Sequence, residues 1–334
     1  MIADNTLLPV IFGGLLAFSL FIYVLLDGFD LGIGILFIHT DDKEKNILMS
    51  SIAPFWDANE TWLVMGTVLI LVAFPQAQGI IMTELYIPIT IMLFGLALRG
   101  SSFDFRMKDR AHRKKMWDNM FFLGSLITTL SQGFMLGLYM NNFTIFVESC
   151  MFSIGLGILL IYVYRLLGAC WLIAKTIGPL QASAYYWAKD SIICLTLGFI
   201  WILLYTPQYS YLHPFALMYG YKSFISTILF SGLIINYLLF LRCLFTHNEH
   251  IAWTPYLYTV SLYTFGFLNL CLELYPYIIP GRMTLWEGAA DADSLQMILY
   301  GFIVVMPLII CYNCILFYIF HGKAHHQKGY SEDI

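Results

Sequence analysis

The sequence predicts an all-α polytopic membrane protein of about nine transmembrane helices, with the N-terminus outside and the C-terminus inside. Three observations carry that prediction. The first is composition: of 334 residues, 60% are hydrophobic and 11% charged, and the mean hydropathy is +0.75. Soluble domains carry about 25% charged residues. The second is the recurrence of apolar runs, each near the roughly 20 residues that a helix needs to cross the hydrocarbon core. The third is charge placement, since 15 of the 17 Lys and Arg residues fall on one side once the runs are threaded alternately.

Taken in order, the runs lie at about 7–26, 58–75, 79–99, 118–140, 148–171, 190–206, 223–244, 254–275 and 296–320, so that 1–334 reads as one transmembrane domain. The alternating ten-residue strands of a membrane barrel are absent. No basic segment precedes the first run, because MIADNTL holds an acid and neither Lys nor Arg, so the first span is expected to be retained rather than cleaved. The stretch TIGPLQASAYY, between the fifth and sixth runs, is a short and weakly polar break. The predominantly basic side collects Lys43, Lys45, Arg99, Arg106, Lys108, Arg110, Arg113, Lys114, Lys115, Arg165, Lys175, Lys189, Arg242, Lys323 and Lys328, leaving Lys222 and Arg282 opposite. RMKDRAHRKK, 106–115, reads as a topology determinant touching lipid headgroups; nucleic-acid binding is not indicated. The seven cysteines are odd in number and mostly sit in apolar runs, which argues against a disulfide framework. Cys311 and Cys314 form a lone CxxC on a helix, which suits packing better than metal or redox chemistry.

Ionisable residues within spans are rare and usually functional. Two clusters stand out. In LLDGFDLGIG, 25–34, Asp27 and Asp30 are three apart and share a helix face, while Gly28, Gly32 and Gly34 allow another helix to come close. In FWDANETWL, 55–63, Asp57 and Glu60 repeat that spacing just after Pro54, a helix-starting residue. Both pairs are expected at one depth near the basic side. Carboxylates gathered there can pass protons or hold a cation, because like charges in a low dielectric share a proton more readily than both ionise. The simpler alternative for Asp57 alone is a favourable helix N-terminus. Glu84, Glu148 and Glu273 read as interface residues, Asp104 with Arg106 as a local ion pair, and Asn236, Asn269 and Asn313 as interhelical amides. The eight histidines fall in loops or at span ends, so no haem ligand is expected within the membrane from this chain.

The motifs DGFDLGIG (27–34), SSIAPFWDANETWLV (50–64), LRGSSFDFR (98–106) and the late stretch from YPYIIPGRMTLWEGAADADS to FHGK resemble subunit II of the cytochrome bd-type quinol oxidases. The resemblance runs from the first span to the last. It implies two four-helix bundles plus one peripheral helix, in a multi-pass protein of the bacterial cytoplasmic membrane. It further implies a complex that oxidises ubiquinol or menaquinol, reduces oxygen to water and separates charge. In that complex a haem-bearing subunit I carries two b-type haems and a haem d, or a third haem b. No cofactor is bound directly by subunit II, although some relatives hold a structural quinone or lipid there. Membrane lipids, quinol and a small accessory single-span subunit complete the implied partners.

Carried onto this sequence, the family's proton-route acids are Asp27 and Asp57, with Glu60 as a further acid and Trp56, Asn59, Asp30 and Arg99 as supporting residues. The chain departs from the pattern at Phe55, where a histidine is often found, and at Ala58 and Glu60, where Gly and Gln or Val are common. Its compactness is similar to that of the short, cyanide-insensitive-type branch. Two other functions compete: a proton- or cation-coupled secondary transporter using the same acids, and a scaffold in which they only dock helices.

Overall fold

The computed structural model describes residues 6–109, 113–209, 221–246 and 252–324. His112, His213, His247, His250, His325, His326, Arg110 and Lys328 lie outside the described residues. The chain is almost wholly helical, as its composition requires: backbone polar groups in lipid must be satisfied within their own segment. The long helices are α1 (Leu8–Leu36), α3 (Trp56–Ala73), α5 (Tyr86–Lys108), α6 (Lys114–Met140), α7 (Val147–Lys175), α8 (Pro179–Tyr209), α9 (Tyr221–Thr246), α10 (Thr254–Leu274) and α12 (Ala292–Ile319). Shorter helices are α2 (Asp42–Ile52), α4 (Pro75–Glu84) and α11 (Leu285–Gly288), and Tyr277–Ile279 pairs with Met283–Thr284 as a small antiparallel hairpin, β1–β2.

Eight of these helices are long and apolar enough to cross a membrane. The exception among the nine long ones is α3, whose 18 residues begin with the polar run WDANE. Three boundaries differ from the sequence expectation for physical reasons. The first apolar run was expected to end near 26, but α1 continues to Leu36 because DGFDLGIG is buried against other helices and stays helical. The third was expected over 79–99, but a break at Phe74 and Pro75 makes α4 a separate short helix, and the long helix starts at Tyr86. The sixth begins at Pro179, directly after Gly178, whose φ of +69° ends the α7 turn in a conformation glycine adopts freely.

Helices α1, α3, α5 and α6 form one bundle, and α7, α8, α9 and α10 form the other; α1 and α6 meet α7 along the seam. Helix α12 is peripheral, touching mainly α1. At the basic end, Phe29, Phe55, Trp171, Tyr256 and Phe317 make one aromatic core, with Phe29 stacked on Trp171 at 4.3 Å. At the opposite end the hairpin closes a second core around Phe12, Leu69, Phe74 and Ile279. Tyr139 donates its hydroxyl proton to Ile278 O there, and Ala290 N–H donates to Ala73 O.

Small residues set how near the seam helices come. A Cβ built on Gly32 would stand 1.8 Å from the carbonyl oxygen of Tyr164, so α1 and α7 touch backbone to backbone. Gly32→Leu is therefore expected to abolish accumulation of folded protein, whereas Gly266→Ala, where an added Cβ meets nothing within 4 Å, should not. Yield of intact protein from solubilised membranes measures both.

Candidate functional site

Three helices of the first bundle converge on Arg99. Its side chain is buried, and its two terminal nitrogens point to different helices: Nη1 contacts Asp27 Oδ1 of α1 at 2.6 Å, and Nη2 donates to Glu60 Oε1 of α3 in a short ion pair. Beside this pair, Asn59 Nδ2 donates to Asp30 Oδ2 at 2.8 Å and to Leu26 O at 3.2 Å, fastening α3 to α1. The location of Arg99 is set by glycine as well. A Cβ on Gly124 of α6 would lie 2.7 Å from the Arg99 backbone nitrogen, so α5 sits tight against α6 at this level. Trp56 lies against Phe103 of α5 with ring centroids 5.0 Å apart, which closes the α3–α5 side.

The acids of α1 and α3 meet at one level through Arg99 and Asn59, and they differ in how far each is enclosed. Asp27 lies nine residues before the end of α1, which at 1.5 Å per residue is about 14 Å inside the helix. Arg99 is the same nine residues from the end of α5. Glu60 is one turn into α3 and 31% exposed, while Asp57 stands in the first turn of α3, exposed on the outer face of the helix. The four acids thus form a ladder of decreasing exposure: Asp57 at the rim, Glu60 one turn further along α3 and partly exposed, Asp27 and Asp30 enclosed. Arg99, expected to brace packing, is also the electrostatic hub. It is a single cation among Asp27, Asp30 and Glu60, so the cluster has the capacity to take up and return a proton. Asp27 Oδ2, Asp30 Oδ1, Asn59 Oδ1 and Arg99 Nε are buried without a protein hydrogen-bond partner among the described residues. Polar atoms with spare capacity, crowded in one place, are what ordered water satisfies.

Sequence inspection missed a further set. Gln132 of α6 donates from Nε2 to the Tyr23 hydroxyl at 2.6 Å and accepts at Oε1 from the Tyr164 hydroxyl at 2.7 Å. Tyr23 is one turn before Asp27 on α1, and that i, i+4 spacing was the available signal.

Other polar groups at the basic end are structural. Arg106 pairs with Asp118 of α6 rather than with the exposed Asp104, and also donates to Asn46 Oδ1 at 3.0 Å. Lys45 contacts Asp118 at 3.3 Å. Lys175 donates to Phe320 O and Gly322 O beyond α12, while Lys323 donates to Ala174 O and Thr176 O at the end of α7, a reciprocal cap. Partial burial pushes the Lys323 ammonium below its ordinary value. Asn236 bonds Ser261 across α9 and α10, and Ser226 bonds Asn269 across the same pair, but Asn313 bonds only Ile309 within α12. Cys311 and Cys314 are free and exposed. No group of three or more His, Cys, Asp and Glu among the described residues could hold a metal ion. His39 and His321 are exposed at helix ends.

The fold and this cluster define a polytopic helical membrane subunit built around a buried, water-compatible charge network. The family profile described as cytochrome bd terminal oxidase subunit II matches residues 8–320. The chain is 26% identical over 328 residues to the cytochrome bd ubiquinol oxidase subunit 2 of Bacillus subtilis (strain 168), covering 92% of this chain and 94% of the relative. It is 23% identical over 346 residues to the cytochrome bd-I ubiquinol oxidase subunit 2 of Escherichia coli (strain K12), covering 90% and 91%. The bd oxidase structure from Geobacillus thermodenitrificans superposes with a TM-score of 0.77 at 18% identity, covering 94% of this chain and 98% of that one. The chain belongs to the cytochrome bd terminal oxidase subunit II family, and is thereby a component of a respiratory oxidoreductase complex.

Arg99→Leu is expected to destabilise the protein by about 3–5 kcal/mol, because it leaves buried carboxylates unpaired. Adding Asp27→Asn should recover part of that loss. Thermal unfolding of the detergent-solubilised protein, read as a double-mutant cycle, measures the coupling.

Proposed function

We propose that this chain is the haem-free subunit II of a bd-type quinol:oxygen oxidoreductase, stabilising a haem-bearing subunit I and conducting protons from the basic, cytoplasmic side toward the oxygen-reducing centre. The proposal places the chain in the bacterial cytoplasmic membrane with its N-terminus outside and its C-terminus inside. The resemblance assigns the complex its haems, which are held by subunit I, a quinol substrate and a small accessory subunit. It also leaves room for a structural quinone or lipid on this chain. The observation that carries the proton role is the ladder itself: acids of decreasing exposure from Asp57 through Glu60 to Asp27, with buried polar atoms of spare hydrogen-bonding capacity around the last.

Each member has a definite task. Asp57 meets the surrounding medium and collects a proton at the rim. Glu60, half-buried, takes it one turn inward. Arg99 cannot give up its own proton; it holds the Glu60 and Asp27 carboxylates near one another while the proton moves between carboxyl oxygens and water. Asn59 keeps Asp30 aligned beside them. Trp56 keeps the α3–α5 contact closed. Protons consumed from inside, with quinol protons released outside, would build a proton motive force without a pump. A secondary transporter using these acids loses its support, since the family is that of an oxidase subunit and the enclosed acids already have protein partners.

Asp57→Asn is expected to lower quinol oxidase turnover about tenfold, less than the roughly 100-fold or more for a direct proton donor, with haem content unchanged. Asp27→Asn should act in the same direction, and Glu60→Gln reports whether the middle rung is needed. Oxygen consumption and haem spectra of the purified complex are the measurements; unaltered turnover across pH in the two aspartate variants would remove the proton role, and loss of haem would favour a scaffold.

A further inference from the structure

The Tyr164–Gln132–Tyr23 string has no part in the ladder just described, yet it ends beside it. Its three members come from three helices, α7, α6 and α1, and both tyrosines are buried. The bonds have a definite sense. An amide has one accepting and one donating end: Tyr164 donates to Gln132 Oε1, and Gln132 Nε2 donates to the Tyr23 hydroxyl oxygen. The lone proton of Tyr23 is therefore left for another acceptor. One turn along α1, on the same helix face, stands Asp27, whose buried carboxylate oxygen Oδ2 has no hydrogen-bond partner among the described residues. A carboxylate beside Arg99 only accepts, and this orientation of the amide is the one that leaves Tyr23 a proton to give it.

We propose that Tyr164, Gln132 and Tyr23 are positioning residues that form a one-way donor chain, aiming the Tyr23 hydroxyl at the Asp27 carboxylate and closing the acid cluster on its α6–α7 side. Resting on the proton route proposed above, the assignment explains why an amide stands between two phenols. Tyrosine hydroxyls can relay protons, but an amide is not among the groups that take up and release them. Gln132 thus passes orientation and no proton, so a proton on Asp27 cannot cross to α7. The groups facing Asp27 are Tyr23 and Asp30 on α1, Glu60 on α3, Arg99 on α5 and Tyr164 on α7. Loss of the Tyr23 hydroxyl removes one donor and leaves these others in place.

The test uses the assembled oxidase complex. Tyr23→Phe and Gln132→Leu are compared with Asp27→Asn, by turnover as a function of pH, haem content, and the infrared carboxyl band that Asp27→Asn abolishes. With one donor to the ionised carboxylate gone, the alkaline limb of the Tyr23→Phe profile should move to higher pH by about half to one unit, the size of one net hydrogen bond. The carboxyl band should shift with it. Gln132→Leu should move both the same way, and Tyr164→Phe, two bonds from Asp27, should move them less. Should Gln132→Leu not assemble, the two Phe variants keep the ring packing and decide the matter. If Asp27→Asn alters turnover while neither Phe variant moves limb or band, the donor chain is refuted and the proton route survives. If Asp27→Asn itself changes nothing, the route fails and the donor chain falls with it.

Discussion

A buried guanidinium is stable only where anions and acceptors reach it, and Arg99 receives them from two helices that otherwise have little reason to sit at that angle. Asp27 on α1 and Glu60 on α3 both close on it. Removing either would leave charge in a low-dielectric interior, a penalty that outweighs the modest gain of the intact pair over an apolar substitute. The first bundle is therefore specified as much as stabilised: α1, α3 and α5 must meet with their polar faces at one level, and the alternatives strand a charge. Glycine makes the meeting sterically feasible. Gly124 lets α6 lie against the Arg99 backbone, and Gly32 lets α7 lie against α1, so the cluster's walls are main chain rather than mobile side chains.

Much of this was legible in the sequence, and the rest was hidden for reasons that particular residues show. Composition and the apolar runs gave the helical membrane class directly, because lipid leaves few other solutions. Asp27, Asp30, Asp57 and Glu60 were visible because charges in apolar surroundings are conspicuous. How far each is enclosed was not. A hydropathy window ends a span at the first acids, so it closed α1 at residue 26, whereas burial of Asp27 against Arg99 lets the helix run on to Leu36. The same polar start leaves α3, taken whole, short of a spanning helix's apolarity, although its apolar part was read as the run 58–75 and it packs along α1. Arg99 was singled out only as a supporting residue, and that through the resemblance, since nothing in a linear pattern distinguishes a cation facing lipid headgroups from one facing two acids. Tyr23, Gln132 and Tyr164 were lost among many aromatic and amide residues; only the fold brings positions 23, 132 and 164 together.

The second bundle shows what happens without such a cluster. It is held by aromatic packing around Trp171 and by the crossed lysine caps of α7 and α12. Each lysine satisfies carbonyls that the end of the other helix leaves open, so the two helix ends are tied by charge to backbone rather than by charge to charge. The caps stand at the same end of the molecule as the acid ladder, and within the bundle Arg165 of α7 also pairs with Asp190 of α8 at 2.6 Å.

Asp57 stands outside all of these contacts among the described residues. This acid lies on the outer face of α3, and the stripe above it continues through Thr61, Val64, Val68 and Leu71, all exposed in the isolated chain. Apolar side chains along a spanning helix are covered by lipid or by protein, and whatever covers them ends at Asp57. A lipid cover would set the acid at the headgroup level, in contact with bulk water. A protein cover would confine that water to the gap between α3 and its neighbour. Glu60 is placed so that either arrangement works: it is half-buried, bonded to Arg99 from within and one turn from Asp57. Proton access at the rim is therefore governed by assembly, whereas the deeper rungs, walled by the backbones of α1, α5 and α6, are governed by this chain alone.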